Sequence, residues 1–336
     1  MLTATQQQPP EIERLLSLLE KWPTDLYSAH GGQLTAESVR ESRLRQARSV
    51  MERHGSCASL LFEEESLVGA AAWSPLVWDS GHFGFSAARL DLLLADGAYR
   101  QSVRRKQHLL DVVLRECEQQ EIVHLSVRTQ AADLTSIHAL EHRGFELIDG
   151  IQTFTLCLDQ PPSVVANVPE GTCIGRYEPW QLGGILEIAK SAYRFDRFHS
   201  DAALPPGSAD RLHEDWVRNS CAGQAADLVM VACKQDQVLG FVTVKFDSSV
   251  RCRDGGRLAT IVLVATAESG RGQGIAKATT SAVLSWLREK NTAAVQVGTQ
   301  LSNVAAGRLY ESCGFRLGAT TLTFRKIVRE CHQNEY

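Results

Sequence analysis

The sequence predicts an α/β (α+β) fold that is built twice, each copy being a central mixed, mostly antiparallel sheet flanked by helices. Two observations predict it. Residues 127–147 and 297–317 are identical at seven of 21 positions at a constant offset of 170. Both halves also show the same order of apolar runs, polar turns and helical patterns. A constant offset implies that the same elements occur twice, as in a tandem domain.

A proline-containing segment separates the two copies. Residues 160–169 contain three prolines (Pro161, Pro162 and Pro169). Proline can neither donate to a strand ladder nor continue a helix, so this segment is typical of a linker. We therefore predict one domain over residues 1–160 and a second over residues 171–330.

The sheet and helices of each copy follow from the pattern of apolar runs. After initial helices, each copy has an apolar hairpin with a polar turn, a buried strand, a long helix, another strand, a short helix and a last strand after Gly-Phe. The hairpins are predicted at 59–62 with 68–73 and at 228–233 with 238–246. The later strands are predicted at 90–95 and 123–127 in one copy and at 258–265 and 294–297 in the other.

Composition limits the class of protein. The chain has 336 residues, 44% of them hydrophobic, and a formal net charge of −4. These values are typical of a globular protein and give no support to binding of nucleic acid through a basic surface. Nine cysteines are scattered without a C-x-x-C pair. We therefore expect free thiols in a reducing cytoplasm and no metal site.

The N-terminus and the lengths of the apolar runs indicate whether the chain is secreted or spans a membrane. The first residues show no basic start followed by an apolar run, so we expect no secretory signal. No stretch approaches the ~18 apolar residues that a membrane span requires. We expect a cytoplasmic protein with no membrane partner.

The segment that carries chemistry is residues 271–276, Arg-Gly-Gln-Gly-Ile-Ala. It lies between the buried strand and the long helix of the second copy. A helix N-terminus offers unpaired N–H groups and the positive end of the helix dipole, and glycine lets backbone approach a phosphate closely. A diphosphate therefore fits here. Ile275 and Lys277 stand where a dinucleotide fingerprint needs glycine, and the P-loop pattern is also absent.

Arg271, Gly274 and Ala276 match the pattern Gln/Arg-x-x-Gly-x-Gly/Ala, which resembles the CoA diphosphate loop of the GNAT superfamily of N-acetyltransferases. Residues 303–315 resemble the superfamily's second CoA element. The resemblance implies that the second copy is the catalytic domain and uses acetyl-CoA. The residues that it implies for the cosubstrate are Leu263, Val264, Arg271, Gly272, Gln273, Gly274, Ile275, Ala276 and Asn303.

Tyr310 is the candidate catalytic residue. Asn303 can cap its helix, and Tyr310 then falls on the buried face with Ala306 and Leu309. Acetyl transfer from a thioester to an amine expels a thiolate, and a phenol can donate a proton or a hydrogen bond to that sulfur. In GNAT enzymes a tyrosine here is the usual general acid. The general base is not identifiable, and three candidates remain: His199, His213 and Glu214.

The first copy lacks these features. At the 170 offset, the loop falls on residues 101–106, Gln-Ser-Val-Arg-Arg-Lys, and Tyr310 falls on Leu140. We therefore expect a degenerate domain that does not bind CoA and is structural or forms one wall of the acceptor site. An alternative is that Arg104, Arg105 and Lys106 bind another phosphate.

The acceptor is expected to contact residues 191–200 and 211–218, which mix arginines with aromatic side chains. Guanidinium groups suit phosphates and rings suit a base, which favours Arg197, His199 and Trp216 as substrate contacts. An amphipathic helix with charged outer positions would show the same mixture. Residues 191–198, 212–219 and 297–312, and Trp-Asp-Ser-Gly-His-Phe-Gly at 78–84, resemble the family of TDP-fucosamine acetyltransferases.

That resemblance implies acetylation of the primary amine of a nucleotide-linked amino sugar, of the dTDP-4-amino-4,6-dideoxyhexose type. Three alternatives remain open. They are acetylation of another small amine, acetylation of a peptide N-terminus, and acyl-CoA binding without catalysis.

Overall fold

A computed structural model describes residues 2–6, 18–19, 36–51, 53–159, 168–247, 252 and 255–329. The described residues form one sheet of twelve strands with helices on both faces. The strands are β1 (Leu2–Gln6), β2 (Cys57–Glu63), β3 (Ser66–Pro75), β4 (Ala87–Ala95), β5 (His124–Gln130), β6 (Glu146–Cys157), β7 (Thr172–Arg176), β8 (Leu228–Lys234), β9 (Gln237–Asp247), β10 (Arg257–Thr266), β11 (Thr292–Gln300) and β12 (Arg316–Ile327). The helices are α1 (Ala36–Met51), α2 (Val77–Phe83), α3 (Tyr99–Gln119), α4 (Leu134–His142), α5 (Leu182–Ala192), α6 (Arg197–Ser200), α7 (Ser208–Cys221), α8 (Ile275–Glu289) and α9 (Val304–Ser312).

The two hairpins, the long helices and the late strands lie where the sequence predicts them. The bounds also repeat at the predicted offsets: α4 and α9, and likewise β6 and β12, differ by 170 residues. Strands β2 and β8 differ by 171. We call residues 57–157 the first half and residues 172–327 the second half. Of the predicted linker, residues 160–167 lie outside the described part of the chain.

The two halves exchange their last strands. The strand order is β1-β2-β3-β4-β5-β12-β6-β11-β10-β9-β8-β7. Strand β12, the last of the second half, pairs antiparallel with β5 of the first half, and β6, the last of the first half, pairs antiparallel with β11. Strands β6 and β12 also pair with each other. One continuous sheet therefore joins the halves, and each half contributes backbone to the centre of the other.

Two parallel strand pairs, β4 with β5 and β10 with β11, interrupt the otherwise antiparallel sheet. The pairing of β10 with β11 ends at Ile261 and Val297. Beyond that point β10 follows β9 to Thr266, while β11 follows β6 to Gln300. The two strands diverge and leave a wedge between them, because each continues to pair only with its outer neighbour.

Helices bury both faces of the sheet. In the first half, α3 and α4 enclose a core in which Leu109, Leu110 and Leu140 are 0% exposed. Burial of one such leucine contributes about 1.5–3 kcal/mol. In the second half, α8 and α9 cover one face and α5 and α7 cover the other. Phe83 at the end of α2 packs with Leu212 of α7, which joins the halves outside the sheet.

Candidate active site

A cleft of about 1640 Å³ passes through the wedge between β10 and β11. One end is lined by the turn before α8, and the other by strands of the first half and by residues 191–198. Most residues predicted from the sequence line this cleft: Leu263, Val264, Arg271, Gly272, Gly274, Ile275, Ala276, Asn303, Tyr310, Arg197, His213 and Trp216. The predicted residues Gln273, His199 and Glu214 do not line it.

The turn before α8 presents free backbone to the cleft. Gly272 and Gly274 have φ angles of +73° and +80°, a region that favours glycine because other residues carry a Cβ. Gly274 is the N-cap of α8, and residues 271–274 are exposed. Within the described part of the chain, the N–H groups of both glycines have no hydrogen-bond partner. The Gln273 side chain instead braces the turn, since its Nε2 donates to the Ser269 carbonyl at 2.6 Å.

A β-bulge in β10 shapes the wall of the wedge. The register between β10 and β9 shifts between Ile261 and Val264. Within the bulge, the Leu263 N–H donates to the Thr243 hydroxyl at 3.0 Å rather than to a strand carbonyl. Bulges re-aim side chains and end regular pairing, and this one coincides with the point where β10 leaves β11.

Tyr310 lies in the wall of the cleft. Its helix α9 begins after Asn303, whose side-chain oxygen accepts from the Ala306 N–H at 3.1 Å, as the capping prediction requires. The ring packs between Phe154 and Phe315 at centroid distances of 5.8 and 5.9 Å, and Tyr310 is only 4% exposed. Burial raises the pKa of the phenol above its usual value, so it remains protonated at neutral pH.

Aromatic side chains and an arginine line the end of the cleft that lies away from the turn before α8. His213 stacks on Tyr193 at 4.6 Å and lies 6.1 Å from Trp216. The Arg197 guanidinium lies over the Phe198 ring at 4.4 Å and donates to the carboxylate of Asp79 at 3.3 Å. The predicted mixture of guanidinium and rings therefore comes together in space.

One ring nitrogen of His213, Nε2, makes no hydrogen bond within the described residues, although it lies 3.8 Å from Asp196 Oδ2. The other, Nδ1, lies 2.8 Å from the Ala209 carbonyl, so Nδ1–H donates and Nε2 carries the lone pair. Burial lowers the pKa of His213, which keeps the ring neutral at pH 7. Of the three candidate bases it is the one that lines the cleft.

The other candidate bases are engaged elsewhere. His199 contacts Asp196 at 2.6 Å and Asp210 at 3.1 Å, one through each ring nitrogen. Glu214 accepts from Arg218 at 3.0 Å on the outside of α7. Asp196, His199 and His213 bring three potential metal ligands within 4.8 Å of one another. Hydrogen bonds already satisfy the Asp196 carboxylate, so this cluster does not need an ion to be stable.

Contacts with the first half hold residues 197–215 in place. Asp201, directly after α6, is 4% exposed and accepts from His124 of β5 at 2.8 Å and from Arg325 of β12 at 3.0 Å. His82 of α2 contacts Asp215 of α7 at 3.1 Å. Residues 197–215 are therefore positioned by both the first half and the exchanged strand.

In the first half, a buried ion pair stands at positions that correspond to Ala276 and Asn303 of the second half. Helix α3 begins at Tyr99, so residues 101–106 lie within its first turns rather than in a loop. Lys106 and Asp133 stand at the 170 offset from Ala276 and Asn303, and the Lys106 Nζ lies 3.0 Å from Asp133 Oδ1. Arg105 pairs with Asp96 and Glu63. Arg105 and Lys106 are thus committed to internal contacts, which removes them from the alternative phosphate site.

Reasoning from the sequence missed several cleft residues, among them Arg128, Asp149 and Thr323. They lie on β5, β6 and β12, so they meet only because the halves exchange strands. No local pattern marks them. The nearest signal was the repeat itself, in which residues 149 and 323 flank the compared segments.

Comparison with known proteins defines the class. Residues 185–315 match the acetyltransferase (GNAT) family model. The chain is 26% identical to the spore coat polysaccharide biosynthesis protein SpsD of Bacillus subtilis (strain 168), over 76% of this chain and 82% of the relative. It is 23% identical to dTDP-fucosamine acetyltransferase of Escherichia coli O6:H1, over 74% and 96% of the two chains.

A solved tandem GNAT protein from the clavulanic acid biosynthesis pathway has a similar fold, with a TM-score of 0.59 and 13% identity over 98% of this chain and 100% of that one. Residues 185–315 thus form a GNAT acetyltransferase domain, and the chain is an N-acetyltransferase. No helix within the described residues is long and apolar enough to cross a membrane. The eight cysteines that the structure describes are all free.

Proposed function

We propose that the chain transfers acetyl from acetyl-CoA to the primary amine of a nucleotide-linked amino sugar, of the dTDP-4-amino-4,6-dideoxyhexose type. The observation that carries the proposal is the single cleft through the wedge. Free N–H groups of Gly272 and Gly274 lie at one end, Tyr310 lies in its wall, and Arg197 with aromatic rings lies at the other end. A diphosphate, a thioester and a sugar nucleotide match these three parts in that order.

We propose that the second half alone binds acetyl-CoA. Its turn offers positive-φ glycines and exposed backbone at the start of α8, whereas in the first half the Lys106–Asp133 pair stands at the positions that correspond to Ala276 and Asn303. Leu140, at the offset of Tyr310, is fully buried and has no polar group to offer. One acetyl-CoA per chain is therefore expected.

In the proposed reaction the neutral amine attacks the thioester carbonyl, and the C–S bond of the tetrahedral intermediate then breaks. Tyr310 acts as the general acid, donating from its hydroxyl to the departing thiolate sulfur. Its raised pKa lies above that of a thiol, near 8.5. The phenol therefore first stabilises the thiolate by a hydrogen bond. The proton that the amine loses balances the one that the thiol finally gains, and His213 is the base that the geometry favours.

The names of two relatives support the acceptor. One is a dTDP-fucosamine acetyltransferase and another is a spore coat polysaccharide biosynthesis protein. Both names point to sugar chemistry, which agrees with Arg197 and the rings of Tyr193 and Trp216 on the acceptor side.

A thiol-release assay tests the proposal, with acetyl-CoA, a panel of dTDP-linked amino sugars, and peptide and polyamine acceptors. We expect release with a dTDP-linked amino sugar, and a fall in kcat of about 100- to 1000-fold for Tyr310→Phe with unchanged binding of acetyl-CoA. Tyr177→Phe, outside the cleft, is the matched control. Release with peptides or polyamines alone would refute the sugar acceptor, and an active Tyr310→Phe chain would refute the role of the phenol.

A further inference from the structure

The floor of the cleft contains a row of polar side chains that crosses the boundary between the halves. Thr323 of β12 is opposite Arg128 of β5 on one side and opposite Asp149 of β6 on the other. Directly opposed residues of antiparallel strands point to the same face of a sheet. The three side chains therefore form a lateral row, and all three line the cleft.

Each member of this row has a polar group without a hydrogen-bond partner among the described residues. Thr323 is 1% exposed, and its buried hydroxyl has no hydrogen bond. Asp149 accepts from the Gly150 N–H at 2.7 Å through Oδ1, while its buried Oδ2 has no partner. The Arg128 guanidinium makes no ion pair or hydrogen bond within the described part of the chain, although it faces the cleft beside carboxylates. Buried polar atoms without partners cost stability, so the Thr323 hydroxyl and Asp149 Oδ2, beside the exposed and unpaired Arg128 guanidinium, point to a ligand.

The charges around this row of side chains indicate which chemical groups the ligand carries. The Arg128 side chain is exposed to the cleft, yet desolvation by the surrounding walls and the neighbouring charges of Arg197 and Arg89 lower its pKa to about 10, so the guanidinium remains charged at neutral pH. Arg197 and Arg89 already have carboxylate partners, in Asp79 and Asp91, whereas Arg128 has none. A phosphate can accept two parallel N–H hydrogen bonds from the Arg128 guanidinium through two of its oxygens.

Asp149 adds a second requirement. Burial raises its pKa to about 6, so at neutral pH it is mainly an ionised acceptor that needs a donor at Oδ2. An inorganic anion alone would offer Asp149 only repulsion. A phosphorylated sugar offers both groups, since its phosphate can meet Arg128 while a hydroxyl bonds Asp149 and Thr323.

We propose that Arg128, Thr323 and Asp149 form the subsite for the phosphate-linked part of the acceptor, with Arg128 holding a phosphate and the other two holding a sugar hydroxyl. This inference rests on the proposed function and deepens it. The first half then contributes Arg128 and Asp149 directly to substrate binding, although its residues 101–106 form helix rather than a CoA turn.

Binding of a nucleotide to the full chain tests the subsite without any need for turnover. Titration calorimetry with dTDP, and separately with inorganic pyrophosphate, is compared for the native chain and for Arg128→Gln. We expect Arg128→Gln to weaken dTDP binding by about tenfold or more, because a charge-assisted contact is lost, and to leave acetyl-CoA binding unchanged. Arg115→Gln, an exposed arginine on α3, is the matched control and should behave as the native chain.

Thr323→Val separates a ligand contact from a structural role. The hydroxyl has no partner in the protein, so its removal should not lower the melting temperature. We expect the KM for the acceptor to rise several-fold while the KM for acetyl-CoA stays within about twofold. A lower melting temperature with an unchanged acceptor KM would overturn the role of Thr323.

The outcomes distinguish this inference from the proposed function. If neither dTDP nor pyrophosphate binds, or if Arg128→Gln binds dTDP as Arg115→Gln does, the subsite is refuted. If dTDP-linked amino sugars are acetylated with the same KM by Arg128→Gln, the proposed function stands and the subsite fails. If dTDP binds through Arg128 but no dTDP-linked amino sugar is acetylated, the subsite stands and the proposed acceptor fails.

Discussion

Replacement of Lys106 by methionine isolates the buried Lys106–Asp133 ion pair of the first half. Lys106 and Asp133 are each 4% exposed. The Lys106 Nζ lies 3.0 and 3.1 Å from the two Asp133 oxygens and also donates to Thr135 at 2.8 Å and to Ser136 at 2.7 Å. Methionine keeps the length and most of the apolar stem, so the change removes a charge without a large cavity.

The expected loss in free energy of unfolding follows from the Asp133 carboxylate that Lys106→Met leaves unpaired. Lys106→Met leaves the Asp133 carboxylate buried without a cation, and such a loss costs about 3–5 kcal/mol. Asp133 also caps α4 by accepting from the Ser136 N–H at 3.0 Å. Asp133→Asn keeps an oxygen for that cap and removes the charge. The double variant should therefore recover most of the loss, and the two changes should not be additive.

Guanidinium unfolding of the full chain measures the free energies, with Lys234→Met, an exposed lysine, as the control. Calorimetric titration of the same variants with acetyl-CoA should still give one site per chain and an unchanged Kd, because the pair lies in the first half. A cost below about 1 kcal/mol for Lys106→Met, or additive single and double variants, would refute the reasoning. A second acetyl-CoA site in Lys106→Met would show instead that the pair was blocking a competent groove.

Three further predictions follow from single contacts. Gly274→Val forces a β-branched residue to a φ of +80° at the N-cap of α8, so we expect the KM for acetyl-CoA to rise at least tenfold, measured by thiol release. Asp201→Asn should lower the melting temperature by several degrees at pH 7. Burial raises the pKa of Asp201, but hydrogen bonds, chiefly that with His124, lower it overall. Its stabilisation is therefore present above the unfolded pKa near 3.9 and is lost as pH falls through the folded value, so Asp201→Asn should flatten the acid side of a melting-temperature profile. If His213 is the base, the acid limb of kcat/KM has its midpoint below 6.5, because burial lowers the pKa of His213, and the limb disappears in His213→Gln.

The elements that the sequence could predict are those with a local signal. The hairpins follow from alternating apolar runs around polar turns, and α9 follows from the cap at Asn303 and the spacing of Tyr310 and Cys313. The turn at 271–274 follows from glycines that the backbone requires at positive φ. Each of these depends on residues close together in the chain.

What the sequence could not predict depends on distant strands. The spacing of β6 and β12 predicts a last strand in each half, but nothing local says which half that strand joins, because a strand presents the same backbone groups to either neighbour. Arg128 and Asp149 were missed for this reason. The prediction that His199 contacts substrate rests on the arginines and aromatic residues of its segment. In the structure, both ring nitrogens of His199 lie next to carboxylates.

The exchange of strands also explains why the first half is part of the cleft. The second half cannot close its cleft alone, since β12 lies against β5 and β11 lies against β6, both from the first half. Removal of the first half would expose the edges of β11 and β12, which template unwanted pairing, and would remove His124, which anchors Asp201. In the proposed function, the first half positions the acceptor, and the Lys106–Asp133 pair stands where the second half has Ala276 and Asn303. The two copies can therefore diverge in chemistry while each remains necessary for the fold of the other.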